Sequence, residues 1–476
     1  MPSFSHWLIC LLLIASVAIQ RVSHAQVAAS NGSTATSSLQ GKPQIVADPY
    51  MERTVSNARA AFLKGKPFNR CDAAVLVHDS KTGIWRRGHV NGENLTYPAS
   101  AVKLAYLAAA MRWCEQNNKP PTALDRSVRP MIEKSDNVQT GVVVDAITRA
   151  PNIADLQTTS DQRYKNWFNA RQYTMRFLER EELLNGQVLL HKTYPTNSGS
   201  DLAGAEKLAR ADAGKNTMQP LASAELILRM ATGSLQPEAT GYMRELLTHD
   251  RWGAASATGP GFPPGTTYMN KAGWAYDNAN DIAFAELPNG QQLVVAVFTN
   301  GLIKPFKDDP SPHDKTILAE FVELLLLELG WISDSDRAYF DTTGGQVDVR
   351  GEWRKMDAAG CAPNGVPGAG STALLKPAGH GSGTITWNLS VPRAGLYEVC
   401  VAYPAASDRT AAAMYAVQHA DGYTSVAVNQ RQVGGRWNRL GDFRFEEGAG
   451  RVVLSDGGPG GSTVAAGALR ALCWPE

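Results

Sequence analysis

The sequence predicts an α+β protein: an antiparallel five-stranded sheet with flanking helices and a helical lobe, followed by an all-β sandwich or jelly roll. Two observations carry this expectation. Two β-prone runs come early (72–78 and 84–90) and three come late (267–273, 282–287 and 292–300), with helical patterning between them. One sheet assembled from both ends of a domain is the economical way to pair them. After about Ser335 helical periodicity stops, and short β-prone runs such as "GTITWNLSV", "LYEVCVAY", "AAMYAVQH" and "RVVLS" take over at regular spacing, the pattern of a β-sandwich.

The elements follow in order. Trp7 to Ile19 is an apolar run too short to span a membrane comfortably, and Ser23-His24-Ala25 fits a signal-peptidase site before Gln26. Residues 1–25 therefore read as a signal peptide, with a retained anchor as the alternative. Cys10 lies inside the apolar run rather than after it, which argues against a lipoprotein. Residues 26–47 are rich in Ser, Thr, Ala and Gly and read as a flexible linker. A helix runs from Pro49 towards Lys64, and Ser80-Lys81-Thr82-Gly83 turns between the first two strands. A strongly apolar helix opens at Ser100, and residues 104–250 are mostly helical. Asn289-Gly290 is a hairpin turn, and "TILAEFVELLLLEL" is a helix stopped by Gly330. The domain boundaries are then 48–332, a linker at 333–346, and 347–476.

Composition narrows the function. The chain has 476 residues, 43% hydrophobic and 19% charged, with a net charge of +1. Nothing in that balance points to nucleic acid or an anionic membrane surface. No CxxC pair and no His/Cys cluster of metal spacing occurs, so no metal or other cofactor is expected. Export, to periplasm or medium, places Cys71, Cys114, Cys361, Cys400 and Cys473 in an oxidising compartment. A Cys71–Cys114 bridge is possible, and at least one of the three C-terminal cysteines stays unpaired.

The chemistry centres on Ser100-Ala-Val-Lys103, the only SxxK in the chain. Alone it is a weak signal, about two being expected by chance at average composition. Its setting in "YPASAVKLAYLAAA" is more telling, because a lysine inside a helix buried on nearly every side has no ordinary structural use. A serine hydroxyl needs a base to become a nucleophile. A lysine one turn along is on the same face, and desolvation lowers its pKa towards that role. Two further elements follow: Ser135-Asp136-Asn137, and Lys271-Ala272-Gly273 on a predicted strand.

This ordered set resembles the serine β-lactamase and penicillin-binding protein superfamily, class A β-lactamases most closely, over roughly residues 48–332. The resemblance implies opening of a β-lactam through an acyl-Ser100 intermediate, with Lys103 as base or proton relay. It implies that Ser135 passes a proton to the leaving nitrogen and that Asn137 contacts substrate and lysine. It gives Lys271 the substrate carboxylate, and the oxyanion hole to the backbone N–H groups of Ser100 and of Trp274, next to Gly273. The third motif reads KAG where the family has KTG, so a hydroxyl is missing, and the bulk of Trp274 is expected to narrow the cleft. Lys81-Thr82-Gly83 matches KTG literally but is assigned to its hairpin. The family's deacylating glutamate has one literal match, Glu181 in "EELLN". That stretch also reads as the end of an amphipathic helix, and the loop aligns better with "HKTYPTNSGSD", where Tyr194 to Asn197 hold no carboxylate.

Residues 351–476 resemble the golvesin C-terminal-like (Xly-type) domain, on "GEWRK", "AGLYEVCVAYP", "GGRWNRLGDFRFEEG" and "VAAGALRALCW". The resemblance implies binding to a cell-wall or other glycan. Trp353, Tyr403, Tyr415 and Trp437 either stack on sugars or fill the sandwich core. Three functions follow: a secreted β-lactamase, a D,D-peptidase or esterase acting on peptidoglycan peptides, and a wall protein that is acylated by penicillin without turnover. The partners are accordingly a small β-lactam or peptide and a glycan, with no nucleic acid and no membrane span after signal cleavage.

Overall fold

The computed structural model of the chain describes residues 41–64, 68–193, 203–275, 277–301, 317–340, 342, 346–357 and 372–474. The expected signal peptide, most of the expected linker 26–47, Tyr194 to Asn197 and Cys361 lie outside the described residues.

The first described strand is β1 (Ile45–Ala47), followed by helix α1 (Pro49–Leu63). Asp48 caps α1 by accepting from the Tyr50 N–H, and Pro49 supplies a preset φ at its first turn. Strands β2 (Arg70–Asp79) and β3 (Ile84–Val90) form a hairpin through the turn that holds Lys81, Thr82 and Gly83. The helical lobe comprises α2 (Lys103–Gln116), α3 (Asp125–Glu133), α4 (Asn137–Thr148), α5 (Gln162–Arg171), α6 (Tyr173–Arg180) and α7 (Gly204–Ala213). Helices α8 (Pro220–Thr232) and α9 (Thr240–Leu247) lead to β4 (Thr267–Ala275), β5 (Asn278–Glu286), β6 (Gln292–Asn300) and α10 (Ile317–Glu328).

The sheet order is β1-β3-β2-β6-β5-β4, so early and late strands meet at the β2–β6 pair. It has six strands where five were expected. The extra one, β1, lies inside the stretch read as linker and pairs in parallel with β3. Three residues are too few to display an alternation, which is why the pattern missed it. Both faces of the sheet are covered. In β2, Ala74 and Leu76 point into a core shared with α2 and α8, while Ala73 and Val75 point into one shared with α1 and α10. Cys114 belongs to the first core and Cys71 to the second. The bridge considered between them does not form, and Cys114, Cys400 and Cys473 are free thiols.

From Arg337 onwards the described chain is all β. Its strands are β7 (Arg337–Phe340), β8 (Val347–Arg350), β9 (Arg354–Asp357), β10 (Thr372–Pro377), β11 (Thr384–Val391) and β12 (Gly395–Val401). They continue with β13 (Ala413–His419), β14 (Gly422–Val428), β15 (Asn438–Phe445), β16 (Gly448–Ser455), β17 (Thr463–Ala466) and β18 (Leu469–Cys473). They form sheets β14-β13-β16-β11-β8, β15-β12-β18-β7 and β17-β10-β9. Strand β7 lies within the stretch read as linker 333–346 and is a working part of the second sheet. The sandwich core gathers around Trp387, Tyr403 and Tyr415. Tyr403 and Tyr415 are thus core residues, Trp437 lies in a small cluster with Tyr339 and Trp252, and Trp353 packs half-buried on the core. Among the described residues no helix is long and apolar enough to cross a membrane.

Strands β12 and β18 are buried on both faces. Tyr397, Val399, Leu469 and Ala471 face the sandwich core, while Leu472 joins the core under α1 and α10 of the first domain. That double burial explains the near-continuous apolar runs "LYEVCV" and "LRALC".

Candidate functional site

Helix α2 is the central element. From Lys103 to Met111 every residue is buried. The Leu and Ala content suits a helix packed on all sides. Ser100 precedes it, in a single 3-10 turn spanning Ala99–Val102. The serine is therefore not in the α-helix itself, as the pattern suggested, but in the tight turn that leads into it. Ala99 sits at φ +48°, a left-handed backbone that costs a non-glycine residue about 1–2 kcal/mol. Two neighbours hold the turn. Asn280 Nδ2 donates to the Tyr97 carbonyl at 3.1 Å. Gly273 of β4 lies so close that a Cβ there would meet Pro98 O at 2.2 Å and the Ala101 nitrogen at 2.6 Å. Only glycine permits this approach, which brings β4 against the serine.

Lys103 is fully buried, with a relative exposure of 0%. Its Nζ lies 2.9 Å from Ser100 Oγ, 2.6 Å from the Ser135 carbonyl oxygen, 3.2 Å from Ser135 Oγ and 2.7 Å from Asn137 Oδ1. Desolvation, reinforced by the Lys271 charge and opposed by Asp136, pushes its pKa down to about 6. A neutral amine has two hydrogens and one lone pair. The two shortest contacts are to obligate acceptors, the Ser135 carbonyl and Asn137 Oδ1, so the lone pair is left for the Ser100 hydroxyl.

The Ser135-Asp136-Asn137 segment connects α3 to α4. Ser135 adopts φ +53°, a second strained position at the cluster. Asp136 caps α4 by accepting from the Gln139 N–H at 2.9 Å, and Asn137 is the first residue of that helix. Lys271 is buried on β4, donating to the Ala272 carbonyl at 3.1 Å. Trp274 belongs to the same strand, but its indole packs on the core beneath α1 and α10. It faces away from the side that carries Lys271, because alternate strand residues point to opposite faces. The expected narrowing of the cleft by Trp274 is therefore not found.

Glu181 is not brought to this cluster. It caps the end of α6, where its carboxylate and its carbonyl both receive the guanidinium of Arg229 from α8. Among the described residues no carboxylate hydrogen-bonds to Ser100 or Lys103. Nor is any group of three or more His, Cys, Asp or Glu placed to hold a metal ion.

Sequence reasoning missed the support behind β4. Asp281 of β5 lies opposite Ala272 and is fully buried. It accepts from the Thr258 N–H at 2.9 Å, Thr258 Oγ1 and Tyr268 OH at 2.7 Å each, and Asn270 Nδ2 at 2.8 Å. An aspartate just ahead of the apolar run 282–285 was the available signal. Asn270 Oδ1 then faces His249 Nδ1 at 2.9 Å. Since the Asn270 amide nitrogen is spent on Asp281 and the Ala255 carbonyl, His249 Nδ1 carries the proton. Burial and the nearby Lys271 charge hold the His249 pKa down.

Family models match two parts of the chain separately. The family described as the Beta-lactamase enzyme family matches residues 121–319, and the Golvesin C-terminal domain matches residues 339–472. The first match begins after Lys103. A protein named Golvesin from Dictyostelium discoideum is 30% identical over 414 residues, 86% of this chain and 70% of that protein. A xanthan lyase from Bacillus sp. (strain GL1) is 39% identical over 92 residues, 18% of this chain and 10% of the lyase. Among solved structures, a β-lactamase from Sphaerobacter thermophilus aligns at 18% identity over 58% of this chain and 98% of its own, with a TM-score of 0.41. A mutant PBP-A in an acyl-enzyme complex with penicillin G aligns at 16% identity over 61% of this chain and 100% of its own, with a TM-score of 0.41.

Proposed function

This chain belongs to the golvesin family, and from that premise we propose that its first domain is a serine acyl-hydrolase that opens a β-lactam through an acyl-Ser100 intermediate and releases the acyl group slowly. The observation that carries this reading is the Lys103 amine, set 2.9 Å from Ser100 Oγ with its pKa lowered to about 6. In the proposed step the neutral amine takes the hydroxyl proton as Oγ attacks the lactam carbonyl. The C–N bond breaks, and Ser135 Oγ delivers its proton to the departing nitrogen while taking one from the Lys103 ammonium 3.2 Å away, which restores the neutral amine. Lys271 holds the substrate carboxylate by charge, and the Ser100 and Trp274 N–H groups receive the oxyanion.

Slow release rests on Glu181. With its carboxylate paired to Arg229, it is unavailable to activate water, and Lys103 is the base that remains. The same observation favours a second substrate class, a D-alanyl peptide of peptidoglycan, for which lysine-assisted release would suffice. We place the protein outside the cytoplasm on the strength of the Trp7–Ile19 run and the Ser23-His24-Ala25 boundary.

For the C-terminal domain we propose glycan binding. With Tyr403 and Tyr415 in the core, the candidate platform is the outer face of the five-stranded sheet, where exposed Tyr423 lies in register beside Gln418, itself beside Arg451.

Incubation with a chromogenic cephalosporin, followed by turnover and intact mass, tests the first domain. The expected result is one equivalent of adduct on Ser100 with slow colour release. No adduct on Ser100 contradicts the reading.

A further inference from the structure

The two domains meet through buried charge that reaches the strand carrying Lys271. Arg251 stands at the start of the loop between α9 and β4. Its guanidinium donates to the loop's own carbonyls at Phe262 and, at 3.4 Å, Gly259, which closes the loop on itself. It also donates to Glu398 Oε2 of β12 at 2.8 Å, and Trp252 Nε1 donates to that oxygen at 2.9 Å. Glu398 Oε1 accepts from Arg470 of β18 at 3.0 Å, and Arg470 also pairs with Glu323 of α10. All four charged residues are buried.

The other side of this loop grips β4. Thr248 bridges to Met269, the His249 N–H donates to the Tyr268 carbonyl at 2.9 Å, and Asn270 Nδ2 donates to the Ala255 carbonyl at 3.0 Å. Three consecutive residues of β4 are thus held by the loop, and the next is Lys271. Without the loop, β4 would be an edge strand with an open outer edge. The loop also has no slack. A Cβ on Gly259 would meet the Arg251 carbonyl at 2.5 Å, and one on Gly261 would meet the Ala319 carbonyl of α10 at 2.3 Å.

We propose that Arg251 is a positioning residue for the site. The C-terminal domain, through Glu398, holds the Arg251 loop, and the loop holds β4 so that Lys271 meets the substrate carboxylate. An arginine that donates to loop carbonyls and is itself held by a glutamate specifies a loop conformation, which apolar packing between domains would not do. The C-terminal domain is on this view a part of the substrate site and not only a tethered module. The inference rests on the reading of Lys271 as the carboxylate-binding residue.

The test uses full-length protein, wild type against Glu398→Gln and the milder Trp252→Phe, with two probes of Ser100. One is a fluorescent penicillin, which carries a carboxylate, and the other is a fluorophosphonate, which does not. In Glu398→Gln the half-saturating penicillin concentration is expected to rise about tenfold, and in Trp252→Phe about threefold, with limiting acylation rates within about twofold. Fluorophosphonate labelling is expected to stay unchanged. Unchanged penicillin half-saturation in the variants, beside a lower melting temperature, overturns the inference and leaves the junction as domain glue. If Glu398→Gln does not fold, Trp252→Phe decides alone. Wild type that takes the fluorophosphonate but not penicillin overturns the Lys271 reading, and this inference with it.

Discussion

Lys103 is buried with no carboxylate hydrogen-bonded to it among the described residues, whereas at the domain junction the buried charges are matched. Burial and the Lys271 charge, opposed by Asp136, bring the Lys103 pKa down to about 6. Arg251 and Arg470 are also buried, but each meets a glutamate, Glu398 for both and Glu323 for Arg470. There the neighbouring negative charge outweighs burial and raises the Arg470 pKa. The same physical ingredient, a buried cation, thus has its pKa lowered in one place and raised in the other. What differs is whether carboxylates are supplied.

Substitutions that break this contrast come first. Lys103→Met keeps the volume of the apolar stem and removes the base. Acylation of Ser100 by a β-lactam is expected to fall by about a thousandfold, measured by adduct mass against time. Stability should move the other way. In the folded state Lys103 binds fewer protons than in the unfolded state between its folded value of about 6 and the ordinary lysine value of 10.5. Wild-type stability therefore rises with pH across that window and carries the full penalty below it. Lys103→Met should lose this slope and melt higher at neutral pH. Arg470→Met at the junction is expected to do the reverse, costing about 3–5 kcal/mol by leaving Glu323 and Glu398 short of a partner. Thermal or denaturant melts of the two variants side by side check the pair.

Gly273→Ala sharpens the geometric half of the comparison. The added Cβ would press on the Ser100 turn, so acylation should fall by about a hundredfold while the sandwich domain melts as before. A smaller effect is expected from Glu181→Gln. It weakens a part-exposed ion pair with Arg229 and should cost about 1 kcal/mol, with deacylation unchanged. Faster or slower loss of the adduct in that variant would show that Glu181 acts on the acyl group. Smallest for the first domain is Tyr423→Ala, which should reduce retention on an insoluble glycan by about three- to tenfold without changing acylation.

Much of the architecture was legible because it rests on period and order. The early and late strand runs, the hairpin at Lys81-Thr82-Gly83 and the apolar helix around Ser100 each left a pattern that a short window detects. The SAVK, SDN and KAG residues were legible as a set, and the structure gathers Ser100, Lys103, Ser135 and Asn137 within hydrogen-bonding distance. Strand β1 was invisible because three residues show no period. The fate of Glu181 depended on Arg229, 48 positions away on α8, and no local pattern encodes such a pairing. Glu398 and Arg470 did leave a trace, each a lone charge in an otherwise largely apolar strand. A single odd charge signals a partner but does not say which one, so the junction became readable only when both strands were placed.

The central claim is that Lys103 is a neutral base for Ser100. The rate of adduct formation on Ser100, followed by intact mass from about pH 5 to about pH 8, tests it most directly. The expected result is a sigmoidal rise with its midpoint near 6, absent in Lys103→Met. A rate independent of pH over that range, or one still climbing steeply at its upper end, would contradict the account.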